Sequence, residues 1–377
     1  MNKLKAKWFF SLLALAIPLL SACNDQRILE DLGFTYVQSY DLASKRDGKV
    51  DKMNIGLSIP IANPEKKKDR EVLLIEAESV KEARVRLSGR SSRILVSGQL
   101  RNTLFSEELA SFGIWAHIDT LLRDPSISQI VNVILVEDDA FALLRKDYPE
   151  HQRTGRYISK LIEKEANTQA IPEVTLYHFS REYFDDGIDP IAPIIRQEKD
   201  NIIIAGIGLF RDDRYITKIE PEKGIIFSIL KKKFKQGQIK IDIKDDENSE
   251  KEIALLSAVL SERKITVERT KGENKFKVNI KINLQGSLLE YIGNKDLGDE
   301  KQRRNLEKSF GKFIEKETKD IIQIMQENKV DSLGIGKHVR NSLSKSDWSK
   351  MDWREVYPNI EITAQANVKI KDYGKFR

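Results

Sequence analysis

The sequence predicts an α+β protein of more than one domain: a mixed α/β N-terminal region, then a C-terminal antiparallel sheet packed with a long helix. Three observations carry that reading. Between Asn102 and Tyr148, strand-like and helix-like segments follow one another as strand, helix, strand, helix. Phe276, Val278, Ile280, Ile282 and Leu284 recur at every second position, as do Ile360, Ile362, Ala364, Ala366, Val368 and Ile370, the period of a strand with one buried face. Between those runs, Phe310, Phe313, Ile314, Ile321, Ile324 and Met325 form the apolar stripe of a helix from about Glu300 to Asn328.

The chain opens on a targeting segment. Lys3, Lys5 and Lys7 precede an uncharged apolar run, Trp8 to Leu20, and then Ser21, Ala22 and Cys23. That order is a secretory signal over residues 1–22. The run is shorter than the roughly 20 apolar residues of a spanning helix, and Pro18 near its end discourages further helix. Leu20-Ser21-Ala22-Cys23 resembles a bacterial lipobox, in which the cysteine thiol takes a diacylglyceryl group. Cys23 is therefore the expected lipidation site, and two acyl chains hold a protein stably where one does so only reversibly. Cys23 is the single cysteine of the chain, which excludes an internal disulfide, cysteine-based metal sites and a cysteine nucleophile.

Residues 23–200 form the N-terminal region, with room for two subdomains, after a short polar tether from Asn24 to Leu32. Met53, Ile55, Leu57, Ile59 and Ile61 alternate with Asn54, Gly56, Ser58 and Pro60, which predicts a strand ending at Pro60. Pro64 and Lys66-Lys67-Lys68 mark a turn, and Glu71 to Ala77 is the partner strand. Ser79-x-x-Glu82 is a capping box opening a short helix to about Leu87. Asn102 to Phe105 is a brief strand. Ser106 then caps a helix whose first turn holds Glu107 and Glu108 and whose apolar face is Leu109, Phe112, Ile114, Ile118 and Leu121. Ile130 to Val136 is a buried strand, and Asp138 to Tyr148 a helix that stops before Pro149. Tyr157, Ile158, Leu161 and Ile162 sit at helical spacing. The polar segment Arg196 to Asp200 is the expected domain boundary, so that residues 201–377 form the C-terminal domain. There Asn201 to Phe210 and Tyr215 to Ile219 are strands around a tip at Asp212-Asp213, and Ile239, Ile241 and Ile243 alternate. Asp245 to Glu252 is a solvated acidic loop.

Charge excludes some functions. The chain has 64 Lys and Arg against 58 Asp and Glu, or +6, and without the three signal lysines the balance is 61 against 58, or +3. Half of the apparent basicity belongs to the signal, and no clustered basic face calls for nucleic acid. The dense run Lys231-Lys232-Lys233-Phe234-Lys235 reads as a solvated helix end.

Motifs for chemistry are absent. The four histidines, His117, His151, His178 and His338, are nowhere spaced as H-E-x-x-H. Gly206-Ile207-Gly208 and Gly334-Ile335-Gly336 lack the rest of a dinucleotide fingerprint, Gly336-Lys337 runs into His338 rather than Ser or Thr, and no G-x-S-x-G occurs. No catalytic residue, cofactor or metal ligand is assigned. Gly206, Gly334 and Gly336 are expected to serve turns or close packing. Trp348 and Trp353 are expected in core or domain-joint packing, and Arg123-Asp124 in a helix-terminal ion pair.

Several segments, taken in order, resemble the Ger(x)C family of spore germination lipoproteins over essentially the whole chain. Cys23-Asn24-Asp25 leads to Leu29-Glu30-Asp31-Leu32-Gly33-Phe34, similar to the family's mature start, with Asn24 in place of its tryptophan. Glu107-Glu108-Leu109-Ala110, Gly113-Ile114 and Leu121-Leu122-Arg123-Asp124 resemble its E-E-L-A-x-x-G and L-x-R-D pattern. Ile204 to Asp213 resembles its G-x-A-x-F-K-D hairpin, and Asp331-Ser332-Leu333-Gly334-Ile335-Gly336 its D-x-L-G-F-G. Trp348, Trp353, Tyr357-Pro358 and Gly374 close the pattern. The resemblance implies a non-enzymatic subunit of a nutrient germinant receptor, of multi-domain α+β fold, on the outer face of the inner spore membrane. It implies work with two integral-membrane subunits, A and B, and contact with lipid through Cys23. It leaves open which nutrient is sensed and whether this subunit touches it. The alternative is a solute-binding lipoprotein of an uptake system, which calls for two α/β lobes around a cleft. An envelope hydrolase is the third reading, and it lacks any nucleophile or metal signature.

Overall fold

The computed structural model describes residues 31–61, 70–151, 153–232, 236–243, 252–270 and 275–373. The signal segment, Cys23, the turn at Pro64 and Lys66-Lys67-Lys68, Lys233 to Lys235, Gly374 and most of the acidic stretch after Asp245 lie outside the described residues.

The first unit runs β1 (Leu32–Phe34), β2 (Val37–Arg46), β3 (Lys49–Pro60), β4 (Arg70–Ala77), α1 (Val80–Ser88), β5 (Ile94–Val96), β6 (Asn102–Ser106), α2 (Glu107–Ala110), α3 (Trp115–Leu122), β7 (Asn132–Val136), α4 (Ala140–Arg145), α5 (Thr154–Asn167), α6 (Leu176–Phe184), β8 (Ile191–Glu198), β9 (Asn201–Arg211) and β10 (Arg214–Ile219). Its main sheet has eight strands in the order β10-β9-β8-β7-β6-β2-β3-β4. The centre, β2, β6, β7 and β8, is parallel, and an antiparallel extension flanks it on each side. Burial follows from that plan. All five residues of β6 are buried, as a parallel strand covered on both faces requires. β1 and β5 form a separate parallel pair.

The second unit runs α7 (Gly224–Lys231), β11 (Gly237–Ile243), β12 (Glu252–Arg269), β13 (Phe276–Ile292), α8 (Glu300–Glu327), α9 (Ile335–Asn341), α10 (Lys345–Ser349), α11 (Trp353–Val356) and β14 (Glu361–Asp372). Its sheet has the order β11-β12-β13-β14. The expected alternation holds: Phe276, Val278, Ile280, Ile282 and Leu284 of β13 are buried, as are Phe310, Ile314, Ile321 and Met325 of α8. The sheet is antiparallel from β11 to β13, but β14 joins β13 in parallel. A parallel neighbour needs a long crossover, and α8 supplies it.

Four readings of the sequence are refined. The segment at Arg196 to Asp200 is the tip of the β8–β9 hairpin, with Lys199 at φ +52°, so its polarity marks a tight turn. By hydrogen bonding β9 and β10 belong to the first sheet, and the second unit starts after Ile219. The helix expected from Ser106 breaks into α2 and α3 at Gly113, where φ is +110° and an added Cβ would lie 2.6 Å from the Asp213 carboxylate. Asp213, at the β9–β10 turn, accepts from the Trp115 N–H at 3.0 Å and so caps α3. The strand expected from Ile130 begins at Asn132, and Ile130 is exposed. The helix expected to Tyr148 ends at Arg145, because Lys146 turns to extended backbone.

Capping explains several helix starts. Ser79 accepts from the Glu82 N–H at 3.2 Å, and Glu82 reaches back to the Glu78 N–H at 2.9 Å, one residue earlier than the simplest capping box. The start of α4 is held from β2, where Asp41 accepts from the Ala140 and Phe141 N–H groups at 2.7 and 2.9 Å. Asp124 pairs with Arg84 of α1 at 2.9 Å, while Arg123 pairs with Asp119 at 2.7 Å.

β14 is an edge strand, and an uncovered edge invites pairing with another chain. Here α8 covers it with carboxylates. Glu315 accepts from the Ala366 N–H and Glu307 from the Ile370 N–H, each at 2.9 Å. Gly311 lets the helix approach: an added Cβ would lie 2.8 Å from the Ala366 carbonyl oxygen. Alanine normally favours a helix interior over glycine by about 1 kcal/mol, whereas overpacking costs about 1–3 kcal/mol. Gly311→Ala is therefore expected to lower the urea midpoint. A midpoint equal to or above wild type would show that β14 yields to the methyl group.

Candidate functional site

The motif Asp331 to Gly336 follows the long helix α8 and opens α9. Its aspartate is buried, and the surrounding backbone shows why. Asp331 accepts from the Ile335 N–H at 2.9 Å, the Gly336 N–H at 2.6 Å and the Trp353 indole N–H at 3.1 Å. The carboxylate thus satisfies donors at the start of α9 and fastens α11 to it. Gly334 has φ +72°, and an added Cβ at Gly336 would lie 2.6 Å from Trp353 Nε1 and 2.7 Å from Gly187 Cα. These two glycines serve a turn and a close approach, as expected. Gly206 lies at φ +139°, beside a register shift in the β8–β9 ladder.

Gly187 belongs to the first unit, and the contact continues as a joint between the units. Asp189 accepts from the Asp331 N–H at 2.7 Å and donates its own N–H to the Asp331 carbonyl at 3.0 Å. The Lys337 N–H donates to the Gly187 carbonyl at 3.0 Å. Arg211, beside the β9–β10 turn, donates to the Asn328 carbonyl at 2.6 Å. Arg354 bonds Asp212, and Arg340 and Lys337 pair with Asp185 at 2.9 and 2.7 Å. Trp353 stands between Trp348 and Tyr357, with ring centroids 5.9 and 5.5 Å away. The 204–213 hairpin is far in sequence from the 331–336 motif and the tryptophan pair, and the three meet at this one place.

Burial governs the electrostatics. It pushes the Asp331 carboxyl up to about 7, against the pull of the Gly336 and Ile335 N–H groups, and the nearby Asp189 carboxylate adds to the rise. Asp189 is itself pushed up by burial. Arg354 is held above its ordinary range, chiefly by its bond to Asp212. Lys231 departs from the solvated helix end expected of it. Its side chain is 10 % exposed, pairs with Glu182 at 2.9 Å and donates to the Ser332 carbonyl at 2.6 Å, so it too ties α6 to the motif.

The histidines are not gathered into one group, though His178 and His338 line a common cleft. His117 stacks near Tyr40 and Phe105 and is pushed down to about 4 by burial. His151 stacks on Tyr157, and the His178 ring contacts the Thr175 hydroxyl. His338 sits on α9. Cys23 lies outside the described residues. Asp189 and Glu182 were not singled out by the sequence, since a buried carboxylate and a solvated one read alike in a chain that is 32% charged.

The raised Asp331 carboxyl predicts a pH dependence. In the folded chain this group keeps a proton that the unfolded chain releases near pH 4. Its contribution to stability is complete below that pH and is lost as pH rises through about 7, at on the order of 1 kcal/mol per pH unit. The urea midpoint of Asp331→Asn, which cannot titrate there, should fall less steeply than wild type between pH 4 and 7. Parallel curves would refute the assignment.

Residues 25–197 match the family domain described as the spore germination protein N-terminal domain, and residues 205–374 match the spore germination B3/GerAC-like C-terminal domain. The two matches meet at the β8–β9 hairpin. The spore germination protein GerQC of Bacillus cereus is 26% identical over 356 residues, covering 94% of this chain and 96% of its own. The crystal structure of the GerBC protein shares the fold, with a TM-score of 0.56 at 16% identity over 90% of this chain and 98% of that one. With both halves matched in order from Asp25 to Gly374, the chain belongs to the Ger(x)C family of spore germination proteins, the C subunits of germinant receptors.

Proposed function

We propose that the chain is the lipid-anchored C subunit of a nutrient germinant receptor, a non-catalytic assembly and signalling component held by Cys23 on the outer face of the inner spore membrane and working with the integral-membrane A and B subunits. The observation that carries the reading is the order of the sequence: Leu20-Ser21-Ala22-Cys23 stands immediately before two matched family domains. No helix among the described residues is long and apolar enough to cross a membrane; the reading places attachment at the acyl chains on Cys23. The nine residues from Cys23 to the first strand at Leu32 reach at most about 30 Å, which keeps the first unit close to the lipid. Such a short reach favours a subunit docked on membrane partners. The alternative of a solute-binding lipoprotein gains no support from two unlike sheets, one of eight mixed strands and one of four.

The test replaces Cys23 by alanine in the producing organism and follows membrane fractionation together with nutrient-triggered germination. Loss of the protein from the membrane fraction with loss of germination is the expected outcome. Retention at the membrane with normal germination would remove the lipid from the mechanism.

A further inference from the structure

Beside the Asp331 joint lies a cleft of about 380 Å³. Its walls come from both units: the segment before α6 and α6 itself on one side, Arg263 of β12 and the start of α9 on the other. Five cationic side chains line it, Arg181, Lys231, Lys232, Arg263 and Lys337, against two carboxylates, Glu173 and Glu182. Glu182 is engaged by Lys231 at 2.9 Å and lies 3.7 Å from Arg181. Lys337 is engaged by Asp185.

Arg263 differs from the others. Like Lys232 it forms no ion pair among the described residues, but its Nη1 is also buried with no hydrogen-bond partner, and only the longer-range attraction of Asp331 opposes the cost of burial. Burial accordingly pushes the guanidinium below its ordinary range. A buried cationic donor without a partner is costly, and native structures seldom leave one unless something else completes it. A guanidinium presents a planar fork of donors that matches the paired oxygens of a carboxylate or phosphate. The neighbouring lysines add positive potential inside a concave wall, which concentrates anions.

We infer that this cleft is a binding site for a small oxyanion, a carboxylate or phosphate group, with Arg263 as its anchor and the two units as its walls. Occupation supplies the missing acceptor and ties β12 to α6 across the joint. The inference rests on the cleft's geometry and stands apart from the role assigned to Cys23. The same chemistry is offered by free phosphate and by an anionic lipid headgroup, which two arms of one experiment separate.

In the first arm, the full chain in detergent is titrated with inorganic phosphate against chloride at matched ionic strength, with Tm as the readout. At ten times its Kd, phosphate should raise Tm by about 2 °C. Arg263→Gln should abolish the rise, Arg263→Lys should retain part of it, and Arg304→Gln on the exposed face of α8 should retain all of it. In the second arm, wild type and Arg263→Gln are bound to vesicles of phosphatidylglycerol or phosphatidylcholine, to which the acyl anchor contributes alike. A phosphatidylglycerol preference lost in Arg263→Gln, without a phosphate effect, assigns the headgroup as the source. A phosphate shift that survives Arg263→Gln overturns the inference, and so does the absence of any Arg263-dependent effect in both arms. Because Arg263→Gln removes an unpaired charge, a loss of binding with an unchanged or higher Tm in chloride separates a lost site from a lost fold.

Discussion

Asp331 has a carboxylate with no solvent to receive it and three N–H groups that need an acceptor. The donors are the Ile335 and Gly336 amides and the Trp353 indole, and its own amide is taken by Asp189 of the other unit. Each buried polar group left unpaired costs about 1–3 kcal/mol, so the arrangement is all or nothing. With the carboxylate in place, α9 starts where it does, the Trp353 indole packs against Gly336, and the backbone of Gly187 comes within reach of Lys337 N–H. Gly334 and Gly336 are consequences of this point: one supplies the left-handed turn, the other leaves room for the indole. Much of the second unit's C-terminal third, from α9 to the start of β14, takes its position from that one side chain.

The charged pairs around the joint are more numerous and matter less. Arg354 with Asp212, and Arg340 and Lys337 with Asp185, are partly exposed, and such pairs contribute about 0–1 kcal/mol each. Lys231 with Glu182 is the exception, since both side chains are almost fully enclosed. Removing one partner of a pair of that kind costs about 3–5 kcal/mol. Among the polar contacts of the joint, the two buried ones, Asp331 with Asp189 and Lys231 with Glu182, therefore weigh more than the surface pairs, which set its register more than its strength.

Periodicity made the second sheet and its helix readable. β13, β14 and α8 each expose one face, so their apolar residues fall at regular intervals; the expected residues of β13 are buried, while Ile362, Ala364, Ala366 and Val368 of β14 and Phe313 and Ile324 of α8 are half-buried. β8 escaped for an identifiable reason. Pro193 breaks its pattern, yet β7 pairs with it only from Ile194 onward, so the missing N–H falls outside that ladder. β12 escaped because its apolar residues, Ile253, Leu255 and Leu256, then Ile265 and Val267, slip across two register shifts, which breaks the period of two. The motifs at 204–213 and 331–336 were visible as strings, but their meeting was not. Asp213 caps α3 and Asp41 caps α4 from nearly a hundred residues away, and nothing local distinguishes such an aspartate from one in a turn.

The two ends of the molecule put different demands on the joint. The first unit follows within nine residues of Cys23, so a membrane anchor there would restrain that unit directly and the second through the chain after Ile219, the packing of Gly224 on Ala170 and the contacts around Asp331 and Lys231. The contacts around Asp331 and Lys231 are polar, they sit at the edge of an apolar core shared by the two units, and the cleft opens beside them. A joint built on buried carboxylates and a buried lysine is sensitive to proton concentration and to anions, because each changes the charge that the enclosed groups must balance. In this fold the connection between the first unit and its neighbour is thus also the place where small charged species have the greatest leverage on the arrangement of the two.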